Sequence, residues 1–167
     1  MSKKAIVTGA TGYIAGWLIS KLLEKGYTVT GTVRNKSNTS KYDHLTKKAQ
    51  DSPGSLNIEE ADLMEKGKFD SIIPGHEIVF HTASPFKVQV KDAQKELIVP
   101  ALEGTRNVLN AVNASETVKK VVLTSSVVAI YGDAQDMHDE NIEKLTEDHW
   151  NKTSTEKHQP YSLSKTL

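Results

Sequence analysis

The segment Thr8-Gly9-Ala10-Thr11-Gly12-Tyr13-Ile14-Ala15 constrains the fold of this chain more than any other. It follows a short apolar run, Ala5-Ile6-Val7, and opens an amphipathic stretch from Trp17 to Leu23. The order is strand, glycine turn, helix, which is the context that gives a dinucleotide fingerprint its weight. Gly9 permits a tight turn that a Cβ would obstruct. Gly12 would let the backbone approach a pyrophosphate, and Ala15 is small enough for the helix to pack closely on the strand. The free N–H groups of this helix start would face the phosphates. Thr11, Tyr13 and Ile14 therefore join Gly9 and Gly12 as expected cofactor-binding residues. The spacing is G-x-x-G-x-x-A, a variant of G-x-G-x-x-G, and by itself it also fits an ordinary turn between a strand and a helix.

The next strand bears on which nucleotide would fit. Tyr27-Thr28-Val29-Thr30-Gly31-Thr32-Val33 alternates and is rich in β-branched residues, which reads as a strand. A site for NAD usually carries Asp or Glu at its end, against the ribose 2′-hydroxyl. Here Arg34-Asn35-Lys36 follows, with Lys41 further on. A guanidinium can grip a 2′-phosphate with two hydrogen bonds, where a carboxylate would repel it. The pattern points to NADP, with a solvated basic loop as the plainer alternative.

Composition narrows the class. The 167 residues suit one domain with a sizeable core. Lys+Arg and Asp+Glu number 21 each, so the balanced charge gives no sign of a nucleic-acid or anionic-membrane partner. No cysteine is present, which excludes disulfides, thiolate metal sites and a catalytic thiol. No apolar run is long enough to span a bilayer, and the stretch after Met1-Ser2-Lys3-Lys4 is too short for a signal peptide. A cytoplasmic location is the default expectation. The Asn38, Asn113 and Asn151 glycosylation triplets are read as chance matches.

Strands and helices alternate, which argues for a parallel sheet and an α/β, doubly wound fold. Strands are expected at Lys4–Thr8, Thr28–Val33, Leu56–Glu60, Glu77–Ala83 and Lys120–Ser125. Helices are expected at Tyr13–Lys25, Thr39–Ala49, Ala93–Val112 and from Tyr161 onward. Gly26 should stop the first helix, and Pro100 should kink or split the third. Gly132 to Gln159 is polar and acidic, with Asp133, Asp136, Asp139, Glu140, Glu147 and Asp148. It reads as a long functional loop with one short helical turn. A sixth strand would complete such a domain. The chain is therefore expected to be one incomplete nucleotide-binding domain, residues 1–167, of something longer.

Two clusters could carry chemistry. Tyr161 and Lys165 lie four apart, on one face of a helix, and Pro160 suits the helix start. An ammonium beside a phenol favours the phenolate, which would ready Tyr161 to give and take a proton. Ser125 and Ser126 follow Val121-Val122-Leu123-Thr124, at the expected C-terminal end of a buried strand. Doubly wound sheets bind ligands at that edge. Each signal alone is weak. None of the six histidines has ligand spacing, so no metal is expected. His81 reads as a packed strand-end residue, and Tyr131 and Trp150 read as packing residues.

In combination the signals are specific. The order is T-G-x-x-G-x-x-A, Asp62-Leu63, His81-Thr82-Ala83-Ser84-Pro85, T-S-S, then Y-x-x-x-K. This resembles the extended short-chain dehydrogenase/reductase family. It is most similar to the branch of dihydroflavonol reductases, cinnamoyl-CoA reductases (the cinnamyl-alcohol dehydrogenase-like proteins) and aldehyde or ketone reductases. His81–Phe86 and Thr146–Asn151 look most like the aldehyde reductases. The similarity runs the whole chain but reaches only the N-terminal half of a typical member. It implies a Rossmann-type fold and reduction of a small-molecule carbonyl with NADPH. Ser126 would polarise the carbonyl and Tyr161 would protonate the alkoxide. Lys165 would ease proton loss from Tyr161 and bind the nicotinamide ribose. Asp62 and Leu63 would contact the adenine, Arg34 and Lys41 the 2′-phosphate. Thr82 and Ala83, with neighbouring Ser84, would line the nicotinamide end, and Phe86 would form one wall of the substrate pocket. A homo-oligomer is compatible with this reading. The alternatives are a sugar-nucleotide epimerase or dehydratase with retained NAD, which Arg34 disfavours, and a non-catalytic NADPH-binding sensor, which a complete Ser126, Tyr161 and Lys165 set disfavours.

Overall fold

Short β-branched runs separated by amphipathic stretches fold here as strands joined by crossover helices. The computed structural model describes residues 2–87, 89–139 and 141–167; Met1, Val88 and the acidic-stretch residue Glu140 lie outside the described residues. The chain divides into two compact units, one comprising the residues up to Ala83 with Thr105–Thr124, the other Ser84–Gly104 with Ser125–Leu167.

The first unit holds the sheet. Strands β1 (Lys4–Val7), β2 (Thr28–Val33), β3 (Ser55–Glu60), β4 (Ile78–His81) and β5 (Lys120–Leu123) are all parallel, in the order β3-β2-β1-β4-β5. The order reverses between β2 and β4, on either side of β1, and such a switch point is where open parallel sheets take ligands. Helix α1 (Tyr13–Glu24) buries Ala15, Ile19, Leu22 and Leu23, one stripe at helical spacing. They pack with Ala5, Val7, Val29, Val33 and Leu45 in one core cluster. A second cluster joins Ile6, Phe69, Ile73 and Val79 to Val108 and Ala111. The chain leaves α1 at Gly26, as expected.

Several expected elements differ in detail. The helix expected at Thr39–Ala49 is a 3-10 turn at Thr39–Lys41 followed by α2 (Asp43–Gln50). Between them Tyr42 takes φ −134°, with its ring buried and its hydroxyl donating to the Lys36 carbonyl at 2.5 Å. That anchor holds Tyr42 out of helical geometry. Strand β4 stops at His81 rather than Ala83, because the N–H groups of Thr82 and Ala83 turn to the Thr8 hydroxyl. Strand β5 was expected to be buried, yet Val122 is 38% and Leu123 52% exposed. It lies at the edge of the sheet with β4 as its one strand neighbour, and Val121 is its contact with the second core cluster.

In the second unit, the helix expected to kink or split at Pro100 instead runs on through a π-helical turn. A π-helical turn, Gln94–Ile98, precedes α3 (Val99–Asn113), and the Val99 N–H bonds the Gln94 carbonyl five residues back. Proline has no N–H and its ring crowds the carbonyl four residues before it. The wider turn absorbs that clash just where the proline enters. Asp92 Oδ1 caps the turn by accepting from the Lys95 N–H at 3.0 Å. Among its described residues, the segment from Gly132 to Gln159 contains one short helix, α4 (Ala134–Asp139), and it leads into α5 (Pro160–Thr166). Among the described residues no helix is long and apolar enough to cross a membrane.

Candidate active site

The glycine turn is built as its sequence requires. Gly9 has φ +71°, and a Cβ there would lie 2.9 Å from the Ala83 Cβ. A Cβ on Gly12 would meet the Gly9 carbonyl oxygen at 3.2 Å. Neither position tolerates a side chain without moving backbone. Gly12 is the N-cap of α1 and supplies no capping side chain, and no acidic residue sits in the first turn. The leading N–H groups of α1 have no partner within the helix, a setting that favours an anion. Tyr13 and Ile14, at this start, are 83% and 59% exposed. Thr11 is exposed in the turn itself.

Beneath the turn, buried Thr8 ties β1 to the end of β4. Its Oγ1 accepts from the N–H groups of Thr82 at 3.1 Å and Ala83 at 3.0 Å. Two accepted bonds leave its O–H to donate to His81 Nδ1, 2.8 Å away. His81 Nε2 then carries the proton and faces Thr105 Oγ1 at 3.3 Å. The Thr82 hydroxyl donates back to the Thr8 carbonyl. His81 is thus the packed strand-end residue that its sequence position suggests.

At the end of β2, Arg34 and Lys41 are exposed, and among the described residues neither has an ion-pair partner. Lys36 differs: its backbone N–H donates to Glu60 at 2.7 Å and its Nζ lies 3.8 Å from Glu59. The nearby carboxylates hold Lys36. The Tyr42 hydroxyl, which the sequence reading missed, pins the loop that carries Arg34 and Lys41. After β3, Asp62 is exposed and accepts from the Met64 N–H at 2.8 Å through Oδ1. The Leu63 carbonyl accepts from Asn107 Nδ2 at 2.7 Å. Asn107, also missed, therefore fixes the Asp62-Leu63 backbone.

The second unit gathers the other set. Ser126 caps a 3-10 turn, Val127–Ala129, with its Oγ accepting from the Val128 N–H at 3.4 Å. Helix α5 packs against this turn and against Gln94–Ile98. Pro160 opens α5 after Gln159, which has φ 58°. Within α5, Lys165 Nζ lies 5.6 Å from the centre of the Tyr161 ring. The edge of Phe86 meets that ring at 5.0 Å between centroids. Lys165 Nζ donates to Ser84 Oγ. Burial pushes the Lys165 ammonium below its usual pKa, because the charged form is the one desolvated. The expected Ser126, Tyr161, Lys165, Ser84 and Phe86 thus all fall within this unit. Gly9, Gly12, Arg34, Lys41, Asp62, Leu63, Thr82 and Ala83 all fall within the other.

Against known proteins, the NAD dependent epimerase/dehydratase family matches residues 5–167. A cinnamoyl-CoA reductase of Medicago truncatula is 53% identical over 124 residues, covering 74% of this chain and 38% of that protein. Tetraketide alpha-pyrone reductase 1 of Arabidopsis thaliana is 42% identical over 166 residues, covering 98% of this chain and 50% of that one. The crystal structure of Gre2 from Candida albicans in complex with NADPH superposes with a TM-score of 0.79 at 37% identity. It is matched over 98% of this chain and 50% of its own. The chain spans half or less of the length of these relatives.

Proposed function

Because the chain belongs to the NAD dependent epimerase/dehydratase family, we propose that it serves an oxidoreductase that reduces an aldehyde or ketone to an alcohol with NADPH. The observation that carries this reading is the second unit's cluster, in which a partly desolvated Lys165 ammonium lies against the Tyr161 ring and Ser126 is held on the turn beside α5.

The first unit fits a dinucleotide. The Gly9 and Gly12 backbone and the start of α1, with Thr11, Tyr13 and Ile14, would hold the pyrophosphate. Asp62 and Leu63 would hold the adenine, and Arg34 and Lys41 the 2′-phosphate. Thr82, Ala83 and Ser84 would border the nicotinamide. NADPH, when bound, supplies a hydride to the carbonyl carbon. Ser126 donates a hydrogen bond to the carbonyl oxygen. Tyr161 passes its proton to that oxygen as the alcohol forms, and solvent restores the proton. Lys165 stabilises the phenolate left on Tyr161 and holds the ribose hydroxyls. The net change is one carbonyl, one NADPH and one proton to one alcohol and one NADP.

The relatives' names supply a probe panel: methylglyoxal and isovaleraldehyde, which a yeast Gre2 reduces, and a dihydroflavonol. Loss of NADPH absorbance with the full-length protein tests the reading. Turnover of at least one probe, faster with NADPH than with NADH, is expected. No turnover of any probe overturns it.

A further inference from the structure

The Asn151 side chain is buried and hydrogen-bonded through both its amide nitrogen and its amide oxygen, and none of the chemistry above involves it. It is 4% exposed. Its Nδ2 donates to the Val128 carbonyl at 2.8 Å and to Ser154 Oγ at 2.8 Å. Its Oδ1 accepts from the N–H groups of Thr153 and Ser154, both at 3.1 Å. Its own backbone N–H donates to the Ala129 carbonyl at 2.9 Å. Both amide donors and both acceptor positions are therefore filled.

Each end of this network reaches a proposed reacting group. Val128, whose carbonyl Asn151 holds, is the residue whose N–H bonds Ser126 Oγ. Ser154, which Asn151 holds on the other side, donates through Oγ to Gln159 Oε1 at 3.3 Å. Gln159 is the left-handed residue just before α5, two positions before Tyr161. Gln159 Nε2 in turn donates to Asp133 Oδ1 at 2.5 Å, and Asp133 Oδ2 lies 2.7 Å from His158 Nε2. Gly132 leaves room for the arrangement, since a Cβ there would stand 2.4 Å from Thr153 Oγ1 and 2.9 Å from Asn151 Oδ1.

We propose that Asn151 is a positioning residue that sets Ser126 and Tyr161 relative to each other, by tying the Val127–Ala129 turn to the start of α5 through Ser154 and Gln159. It has no spare donor for a substrate and acts only through those two side chains. The position calls for an amide. A carboxylate would still accept from Thr153 and Ser154 but would set a negative oxygen against the Val128 carbonyl and lose that bond. Misplacing a reacting group by about 1 Å can cost on the order of 100-fold in rate.

The inference rests on the Ser126 and Tyr161 reading, so the experiment separates the two. Asn151→Asp breaks the arm to Val128, Ser154→Ala breaks the arm to Gln159, and each is combined with Ser126→Ala in the full-length protein. The measurements are kcat with the fastest probe of the panel, the NADPH dissociation constant and the thermal melt. Each single variant is expected to melt cooperatively, bind NADPH within about twofold of the parent, and lose roughly 10-fold to 100-fold in kcat. In the Ser126→Ala background Asn151→Asp should cost less than about threefold, because residues acting through a shared partner are not additive, while Ser154→Ala, whose arm reaches Tyr161, should keep its cost. Unchanged kcat in both variants overturns the inference, as does an equal factor for Asn151→Asp in both backgrounds. Loss of a cooperative melt in both also overturns it, since the network is then only a fold determinant. If Ser126→Ala alone leaves kcat unchanged, the Ser126 reading fails, and the inference fails with it.

Discussion

Arg34 and Lys41 are the residues on which cofactor choice turns in the proposed function. Both stand exposed, Arg34 at the end of β2 and Lys41 in the 3-10 turn beyond it, without an ion-pair partner among the described residues, while Lys36 between them is held by Glu59 and Glu60. A hydrogen bond to a charged group is worth about 1.5–3 kcal/mol. Arg34→Ala is therefore expected to weaken NADPH binding about tenfold or more and leave NADH nearly unchanged, measured by titration calorimetry. Equal loss for both cofactors would place Arg34 away from the 2′-phosphate. Much at this scale was legible in the sequence, because a glycine in a turn or a cation at a strand end announces itself by type and position. The residues that hold others in place were not. Tyr42, Asn107 and Asn151 each donate to the carbonyl of a residue in another segment, Lys36, Leu63 and Val128, and nothing in their spacing marks those partners. Asn151 did carry a partial signal. An Asn with Thr and Ser two and three residues on suits a local turn in which the side chain accepts backbone N–H groups.

At the scale of elements, periodicity located all five strands and the main helices, and local chemistry moved their ends. Thr8 draws the Thr82 and Ala83 N–H groups out of the ladder, Tyr42 interrupts a helix, and Pro100 is accommodated by a π-helical turn. In the last case an irregularity at Pro100 was foreseeable but its form was not: the carbonyl crowded by Pro100 is Glu96, inside the turn that widens. Glu96 also fastens the approach to that turn. Its carboxylate accepts from the Lys91 N–H at 2.9 Å and the Asp92 N–H at 3.1 Å, and pairs with Lys87 at 2.7 Å. Lys87 first, then these two N–H groups, lower its pKa from 4.5 to about 2. A depressed carboxylate pKa means that the contribution is whole above 4.5 and is lost as the pH falls toward 2. Amide hydrogen exchange, corrected for intrinsic rates, should show Lys91 and Asp92 losing protection across that window. Constant protection through it would mean that Glu96 does not hold this segment.

At the scale of the whole chain, the two compact units divide the proposed labour. One carries the parallel sheet, the glycine turn and the basic strand end; the other carries Ser126, Tyr161 and Lys165. The fold class was legible because five strand-like runs alternate with helical ones. The division into two units was not, since Ser84–Gly104 and Ser125–Leu167 are distant in sequence and are brought together by helix packing and hydrogen bonds between side chains. If the labour divides in this way, cofactor affinity and turnover can be broken separately. The most direct measurement is single-turnover transfer of deuterium from NADPH labelled at the reactive position, using full-length protein saturated with cofactor, in the parent and in Tyr161→Phe. The account predicts that deuterium appears on the alcohol carbon in the parent. In Tyr161→Phe the transfer should slow by roughly 10²–10⁴, as for a lost general acid, with NADPH affinity nearly unchanged. Equal transfer rates in the two proteins would contradict it.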